Sequence, residues 1–324
     1  MKDEMFFLRS FLDYYRSLGV DEFLILEDGS HDGTLEFLLE QPDVTVLKSS
    51  FSYGEEFRRR SRLPWRLSRM RAGIRLKTLI PDAYLRRRWC LCADADEYLI
   101  LPPQFTQLSE LTQELEALDI PVLIGSLIET YPRTFADLAT PVPAPRDFSE
   151  LISLSPYFDD VKLLEVKDSG DIFRLNPSAS GRLFSAYNIP FGSKQEVATV
   201  EEVVASGRRK NLAIGSAIHK MPLIRPSRKI RYTSSHFASS KPTPAAGVAL
   251  LHFKFTVDLL RRLDLAIRSK AWSGGSKKYS KYEWLLSRMK SADGTFLGPN
   301  SAIYQSARQL VNSGNLWWDL DKSL

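Results

Sequence analysis

The chain has 324 residues, of which 44% are hydrophobic and 26% charged, a mixture typical of a globular protein with a substantial core. No apolar run approaches the roughly 18 residues of a membrane span, and the first residues lack the pattern of a signal peptide. The net charge of +5 is concentrated in basic runs without interleaved aromatic residues, which argues against a nucleic-acid partner and leaves a solvated surface, an anionic substrate or an anionic membrane. These runs are 58–60, 86–88, 208–210 and 225–231.

Hydrophobic periodicity predicts alternating helices and strands along the first 130 residues. The predicted helices are 4–18, 34–39, 65–79 and 105–118, and the predicted strands are 23–26, 44–47, 89–93 and 122–124. This alternation is typical of an α/β fold, in which helices flank a mostly parallel sheet. Residues 131–180 lose periodicity and are predicted to be inserted loops. Amphipathic stretches near 257–271, 281–291 and 301–313 predict a helical C-terminal tail.

The two cysteines, Cys90 and Cys92, lie two residues apart on the predicted strand 89–93. Their spacing suits neither a disulfide framework nor a zinc site. We interpret them as buried free thiols, which is consistent with the reducing cytoplasm.

Three carboxylates follow the predicted strand 89–93 at once: Asp94, Asp96 and Glu97. A strand that leaves the core and ends in acids places them at the carboxyl edge of the sheet, where open α/β sheets bind ligands. Along an extended segment Asp94 and Asp96 point to the same side, so both can reach one divalent cation. A solvated acidic turn is the alternative.

A second acidic turn joins the predicted strand 23–26 to the next helix. Asp28 ends the strand, where it can accept hydrogen bonds from a ribose or a base, and Ser30 or Asp32 can cap the helix that begins near Thr34. A calcium loop is excluded because its twelfth position, which requires a bidentate glutamate, is Leu39. A turn that only caps a helix is the alternative.

Taken together, these segments resemble the nucleotide-sugar glycosyltransferases of the GT-A fold, in particular the family 2-like group with an Asp-Ala-Asp-Glu core. The resemblance rests on an ordered series of motifs over roughly residues 2–290. The matching stretches are 2–4, 18–21, 28–34, 94–97, 180–184, 220–225, 234–236 and 250–255.

The resemblance implies a nucleotide-sugar donor as ligand. Asp28 would hold the nucleoside, with Glu4 from the matching stretch 2–4 and Asp94 beside the ribose. Lys254 and Arg225 would pair with phosphate oxygens, although a surface role is equally open for both.

The resemblance also implies a divalent cation, Mn²⁺ or Mg²⁺, as cofactor. Asp94 and Asp96 would hold it on the donor diphosphate, and a histidine from the C-terminal part, His252 or His236, would complete the metal shell. A histidine between apolar neighbours, as His252 is, can equally be a core residue.

An inverting transfer needs a carboxylate beside the acceptor hydroxyl. Glu196 follows a predicted turn and is our candidate for this catalytic base. Asp258 is a second candidate, although its position also suits a helix cap.

The predicted organisation is a GT-A-like catalytic domain over residues 1–256, with a nucleotide half of about 1–130 and an acceptor half of about 131–256. A helical extension follows over 257–324. The match begins at 2–4, the end of the family's first strand, so we expect a sheet that lacks most of this strand. Asp3 stands where the family has asparagine.

We therefore expect a metal-dependent glycosyltransferase in the cytoplasm, acting on a glycan or lipid-linked acceptor. Its basic runs would suit peripheral contact with an anionic inner membrane face, and nucleic acid is not expected as a partner. A non-catalytic nucleotide- or glycan-binding relative is the alternative from another class. A nucleotidyltransferase or phosphohydrolase is the alternative among enzymes.

Overall fold

The computed structural model describes residues 1–51, 54–60, 67–189, 217–269 and 277–320. Helices of the described part are α1 (Met5–Ser17), α2 (Thr34–Leu39), α3 (Ala72–Tyr84), α4 (Leu108–Ala117), α5 (Phe135–Ala139), α6 (Phe148–Leu154), α7 (Ala179–Ala186), α8 (Val257–Ser269), α9 (Lys277–Ser291) and α10 (Ala307–Asn312). Strands of the described part are β1 (Phe23–Glu27), β2 (Val44–Lys48), β3 (Glu56–Arg60), β4 (Leu67–Arg71), β5 (Cys90–Leu91), β6 (Glu97–Ile100), β7 (Val122–Glu129), β8 (Tyr157–Asp159), β9 (Leu164–Val166), β10 (Ile172–Arg174), β11 (His219–Ile224), β12 (Ala246–His252), β13 (Ser301–Ile303) and β14 (Trp317–Trp318).

The central sheet has the strand order β14–β12–β7–β11–β5, and β6 also pairs with β12. β7 and β12 are parallel and almost wholly buried, as expected for strands covered on both faces. β11, β5, β6 and β14 join the sheet by antiparallel pairing. The predicted α/β class is confirmed, and the central sheet is mixed.

β1 and β2 form a separate parallel pair, in which Phe23 lies opposite Val44 and Glu27 opposite Lys48. Their connection is α2, the crossover helix that a parallel pair requires. The carboxyl end of β1 leads into the predicted acidic turn at Asp28.

Helix α1 ties the acidic segments to the core. Its apolar residues recur at helical spacing, so Phe7, Phe11 and Tyr15 are all buried on one face. The Tyr15 hydroxyl donates a hydrogen bond of 2.9 Å to the carbonyl oxygen of Glu97 at the start of β6. Gly19 follows the helix with a φ of +86°, a conformation that glycine adopts without strain.

The structure corrects four predictions of secondary structure. The predicted helix 65–79 instead contains β4, which pairs antiparallel with β3, and the helix α3 begins only at Ala72. Tertiary pairing here overrides a helical pattern. The predicted strand 89–93 is shorter, since β5 covers only Cys90 and Leu91.

The predicted loop region 131–180 contains helices and short strands, including β8, β9 and β10. The predicted C-terminal tail is not wholly helical, because β13 pairs with β8 and β14 pairs with β12 of the central sheet. Short strands of two or three residues leave little periodicity in a sequence. Among the described residues, no helix has the length and apolar character needed to cross a membrane.

Candidate functional site

A cavity of about 850 Å³ lies where β1 and β5 end. The cavity brings together seven of the predicted site residues. These residues are Glu4, Asp28, Asp94, Asp96, His236, His252 and Lys254. Arg225, predicted to pair with phosphate oxygens, lines a different pocket and lies 3.6 Å from Glu116. The predicted catalytic base, Glu196, lies outside the described residues.

The acidic loop after β5 is a tight turn closed on itself. The Asp94 N–H donates to Glu97 Oε2 at 2.9 Å, and the Glu97 N–H donates to the Asp94 carbonyl oxygen at 3.0 Å. Glu97 is buried and forms an ion pair with the buried Lys220 of β11. This buried pair therefore fixes the turn from which Asp94 projects, with 56% of its side chain exposed.

Asp94 lies between two ammonium groups. Lys77 Nζ of α3 donates to Asp94 Oδ1 at 3.0 Å, and Lys220 Nζ lies 3.5 Å from the same oxygen. Burial opposes ionisation of this carboxyl group, but Lys220 and Lys77 together hold the pKa of Asp94 well below its usual range. Asp94 is therefore a carboxylate at neutral pH.

Asp96 is buried and contacts two basic side chains. Its Oδ2 atom lies 3.4 Å from His252 Nε2 at the end of β12 and 3.3 Å from the Arg262 guanidinium of α8. Burial raises and these two neighbours lower the pKa of Asp96, with a net shift downward. The other ring nitrogen of His252, Nδ1, is buried and has no hydrogen-bond partner among the residues that the structure describes.

Glu4 forms an ion pair with the same guanidinium, that of Arg262. Burial, together with the nearby carboxylates of Asp96 and Asp258, raises the pKa of Glu4 to about 8 in spite of this pair. Three carboxyl groups thus share one guanidinium.

The acidic turn after β1 is held by the amino-terminal residues. Asp3 accepts the N–H of His31 at 2.6 Å, and Asp32 accepts the N–H of Met5 at 3.0 Å. The N–H of Asp28 itself donates to the carbonyl oxygen of Met1 at 2.9 Å. These bonds place Asp28 at the same mouth of the cavity as Asp94.

His236 faces the cavity as a neutral imidazole. Its Nδ1 lies 2.9 Å from the carbonyl oxygen of His219, which can only accept, so Nδ1 carries the proton and Nε2 is left with a free lone pair. Burial, followed by the charge of Lys220, lowers the pKa of His236. This tautomer is the form that can ligate a metal.

Lys254 lines the cavity, yet its ammonium group is engaged elsewhere. It donates to Glu129 Oε1 at 2.7 Å and lies 4.8 Å from the ring centre of Tyr282. Glu129 also accepts from the N–H and the hydroxyl of Ser180. The lysine predicted to bind phosphate is therefore part of a buried structural cluster at the cavity wall.

This cluster predicts a pH dependence of stability. Burial raises the pKa of Glu129, but Lys254, His252 and the Ser180 hydrogen bond together outweigh burial and lower it, so the folded state favours the carboxylate. The stability it contributes is present above pH 4.5 and is lost as the pH falls below that value. We expect Glu129→Gln to be less stable at pH 7 and to lose about 2 kcal/mol less than the wild type between pH 6 and pH 3.

Urea unfolding at a series of pH values checks this expectation. Glu165→Gln is the matched control, because Glu165 pairs with Lys167 at the surface. Parallel stability curves for the wild type and Glu129→Gln would show that Glu129 carries no such linkage.

The second candidate for the base, Asp258, is also engaged. Its two carboxylate oxygens accept from Arg261 at 2.7 Å and from Arg262. Asp258 lies inside the first turn of α8 rather than at the capping position before it, and its carboxylate is used in these two ion pairs.

Sequence reasoning missed several residues of the site. Lys77, Arg262, Tyr279 and Tyr282 all line the cavity but were not predicted. The spacing of four residues between Asp258 and Arg262 was the one local signal for the arginine. No sequence pattern indicated that Lys77 belongs to the site. The residues around it predict only a basic helix, and the contact between Lys77 and Asp94 is long-range.

Among the residues the structure describes, no group of three or more His, Cys, Asp or Glu is arranged to hold a metal ion. Asp96 and His252 nevertheless present an oxygen and a nitrogen 3.4 Å apart. Neighbouring ligands in an octahedral shell are about 3 Å apart, so this pair suits two adjacent positions of a site completed by phosphate and water.

Comparison with known proteins finds no family, no curated protein and no solved structure that matches the chain.

Proposed function

We propose that this protein is a metal-dependent glycosyltransferase with a GT-A-like fold, which transfers a sugar from a nucleotide-diphosphate donor to a glycan or lipid-linked acceptor. The observation that carries the proposal is the convergence of Asp28, Asp94, Asp96 and His252 on one cavity. These residues follow or end three different strands, and ligands of open α/β sheets bind at such carboxyl ends.

The nucleoside would lie against the turn at Asp28. A carboxylate there can accept hydrogen bonds from the ribose hydroxyls, as acidic residues at strand ends do in nucleotide-binding sheets. Glu4, at the amino end of α1, faces the same space. The resemblance of this turn to the family pattern is a second, independent support.

The diphosphate would lie between the two acidic turns. Asp96 and His252 would hold a divalent cation there, with Asp94 facing the same space. A bound Mn²⁺ or Mg²⁺ would neutralise part of the negative charge that develops on the departing nucleotide diphosphate. Of the two, Mn²⁺ accepts an imidazole ligand more readily.

Basic side chains of the protein would also offset the negative charge of the diphosphate. Lys77 and Arg262 now pair with Asp94 and Asp96 respectively, and both reach the cavity. When a cation binds these carboxylates, the two basic side chains can turn toward phosphate oxygens. The charge of the leaving group would then be offset by these two side chains together with the bound cation.

A screen for donor hydrolysis tests the proposal. The purified chain is incubated with UDP-, GDP- and dTDP-sugars, with and without Mn²⁺, and released nucleotide and thermal stability are measured. We expect one nucleotide to stabilise the protein only in the presence of metal, and its sugar conjugate to be hydrolysed.

The outcomes separate the alternatives. Metal-dependent stabilisation without turnover would favour a non-catalytic binding relative. The ion pairs that Asp94 and Asp96 form with basic side chains are compatible with this alternative. Release of phosphate or pyrophosphate instead of a nucleoside diphosphate would indicate a phosphohydrolase or nucleotidyltransferase. If no nucleotide stabilises the protein at any metal concentration, the proposal fails.

A further inference from the structure

A second cavity, of about 430 Å³, lies at the opposite end of β5 from the acidic loop. It is enclosed by the turn before β5, the connection between α4 and β7, and the segment that follows β11. We call it the basic pocket, because Arg87, Arg225 and Lys229 line it. These side chains belong to the basic runs 86–88 and 225–231, which are distant in the sequence and meet only in the fold. Its volume is within the range of small-molecule sites.

Trp89 and Arg225 are held in the same wall of the basic pocket. Trp89 Nε1 donates to Glu116 Oε1 at 2.9 Å, and Arg225 Nε lies 3.6 Å from the same oxygen. Arg225 Nε also donates to the carbonyl oxygen of Arg87 at 3.3 Å. Over the described residues, no hydrogen bond occupies the two terminal nitrogens of Arg225. A guanidinium held in this way can donate to a carboxylate of a ligand.

Arg87 and Lys229 supply further positive charge to the basic pocket. Within the described part of the chain, neither side chain forms an ion pair or a hydrogen bond. Arg86 and Arg88, the neighbours of Arg87, each pair with an acidic residue instead. The basic pocket therefore presents two cations that the described residues leave uncompensated, which suits a ligand with an anionic group.

The backbone of Arg87 is strained. Its φ is +69°, in the left-handed region that residues other than glycine, asparagine and aspartate rarely adopt. The Arg87 N–H donates to the Pro226 carbonyl oxygen at 2.8 Å, which helps to hold this conformation. Because glycine would adopt the same φ freely, the turn does not require an arginine side chain at this position. Strained residues of this kind cluster at binding sites.

The other side chains of the basic pocket suit a sugar ring. Trp89, Pro226 and Ile230 supply an apolar surface, against which the C–H groups of a sugar can pack. Glu116 and Asp119 supply carboxylate oxygens, which accept hydrogen bonds from hydroxyl groups. The same two carboxylates would repel a polyphosphate. A sugar with one carboxylate group matches the combination of cations, acceptors and apolar surface.

Trp89 connects the basic pocket with the candidate functional site, since it lines both cavities. Arg225 lines the basic pocket and not the larger cavity. A glycan bound in the basic pocket would therefore lie beside the cavity in which we propose that the donor binds.

We propose that the basic pocket binds an acidic sugar, a ring that carries a carboxylate group, within a glycan. Arg87, Arg225 and Lys229 would hold the carboxylate, and the ring would pack on Trp89. This inference deepens the proposed function, and it rests on that function only for the role of the glycan as the acceptor. Its test measures binding without nucleotide or metal, so its failure can be distinguished from a failure of the donor screen.

Titration calorimetry with matched sugars tests the proposal. The whole chain is titrated with glucuronate, tetragalacturonate and sialyllactose, and with their neutral counterparts glucose, methyl-esterified tetragalacturonate and lactose. We expect at least one acidic sugar to bind about tenfold more tightly than its neutral counterpart, since hydrogen bonds to charged groups typically contribute a factor of this size. Inorganic phosphate should bind more weakly than that sugar, because it has no ring to pack on the indole.

Arg87→Gly separates binding from folding. The variant should lose about tenfold in affinity for the acidic sugar, because one cation is removed. Its melting temperature should be equal to or above that of the wild type, because glycine adopts the φ of this position without strain. Arg86→Gly is the matched control, since Arg86 pairs with Asp82 on the surface, and it should leave the affinity unchanged.

The basic pocket is not a site for acidic sugars if none of them binds, or if each binds no more tightly than its neutral counterpart. Wild-type affinity in Arg87→Gly, or phosphate that binds as tightly as the best sugar, would also overturn the proposal. Binding of an acidic sugar by a chain that no nucleotide stabilises would support the basic pocket and contradict the proposed function.

Discussion

Asp94→Asn is expected to lower the rate of metal-stimulated nucleotide-sugar hydrolysis by about 100-fold, without loss of the fold. A preorganised charge beside the reacting group typically contributes two to three orders of magnitude in rate. The fold should tolerate the change because 56% of the Asp94 side chain is exposed, and because the N–H that closes the turn onto Glu97 is retained.

A second variant, Asp96→Asn, is compared with Asp94→Asn in the same assay. Asp96 is buried and contacts His252 and Arg262, so its replacement should also raise the Mn²⁺ concentration needed for half-maximal turnover. Asp82→Asn is the matched control, since Asp82 pairs with Arg86 on the surface of α3. If Asp94→Asn hydrolyses the donor at the wild-type rate, the assignment of this loop to the diphosphate is wrong.

Lys220→Met is expected to destabilise the protein by about 3–5 kcal/mol, because it leaves the buried carboxylate of Glu97 without its partner. Only 1% of the Lys220 side chain and 2% of the Glu97 side chain are exposed. Burial opposes the charge of Lys220, but Asp94 and Glu97 raise its pKa, so the lysine is charged in the folded state. The measurement is the free energy of unfolding from urea titration at pH 7.

The double variant Lys220→Met/Glu97→Gln separates the cost of an unpaired charge from the loss of packing. We expect it to recover much of the stability, since neither charge then remains buried alone. Lys241→Met removes an exposed ion pair with Asp171 and should cost less than about 1 kcal/mol. A small effect of Lys220→Met, comparable with this control, would show that water reaches Glu97 in solution.

Local patterns predicted the elements that carry the site. The apolar runs before Asp28 and Asp94 correspond to β1 and β5, and the periodicity of residues 4–18 corresponds to α1. These predictions succeeded because burial of a strand or of one helix face imposes a repeat of two or 3.6 residues on neighbouring positions. The strands β13 and β14 were missed, since their partners β8 and β12 are distant in sequence.

The distinction between local patterns and long-range contacts also applies to the candidate site. Acidic residues after two predicted strands indicated that Asp28 and Asp94 line a ligand site, because α/β folds bind ligands at the carboxyl ends of their strands. In the structure β1 and β5 belong to different sheets, and both acids line one cavity. The partners of these acids could not be predicted. Lys77 lies 17 residues from Asp94, and Arg262 lies 166 residues from Asp96, and only the packing of α3 and α8 brings them into contact.

By itself the sequence determined the α/β class, the two acidic turns and the set of polar residues available for a ligand, since each depends on residues close together in the chain. Only the tertiary structure decided that seven of the predicted residues face one cavity and that Lys254 is bound by Glu129. Contacts between distant segments form when whole elements bury their apolar faces together, and no short stretch of sequence records which faces will meet.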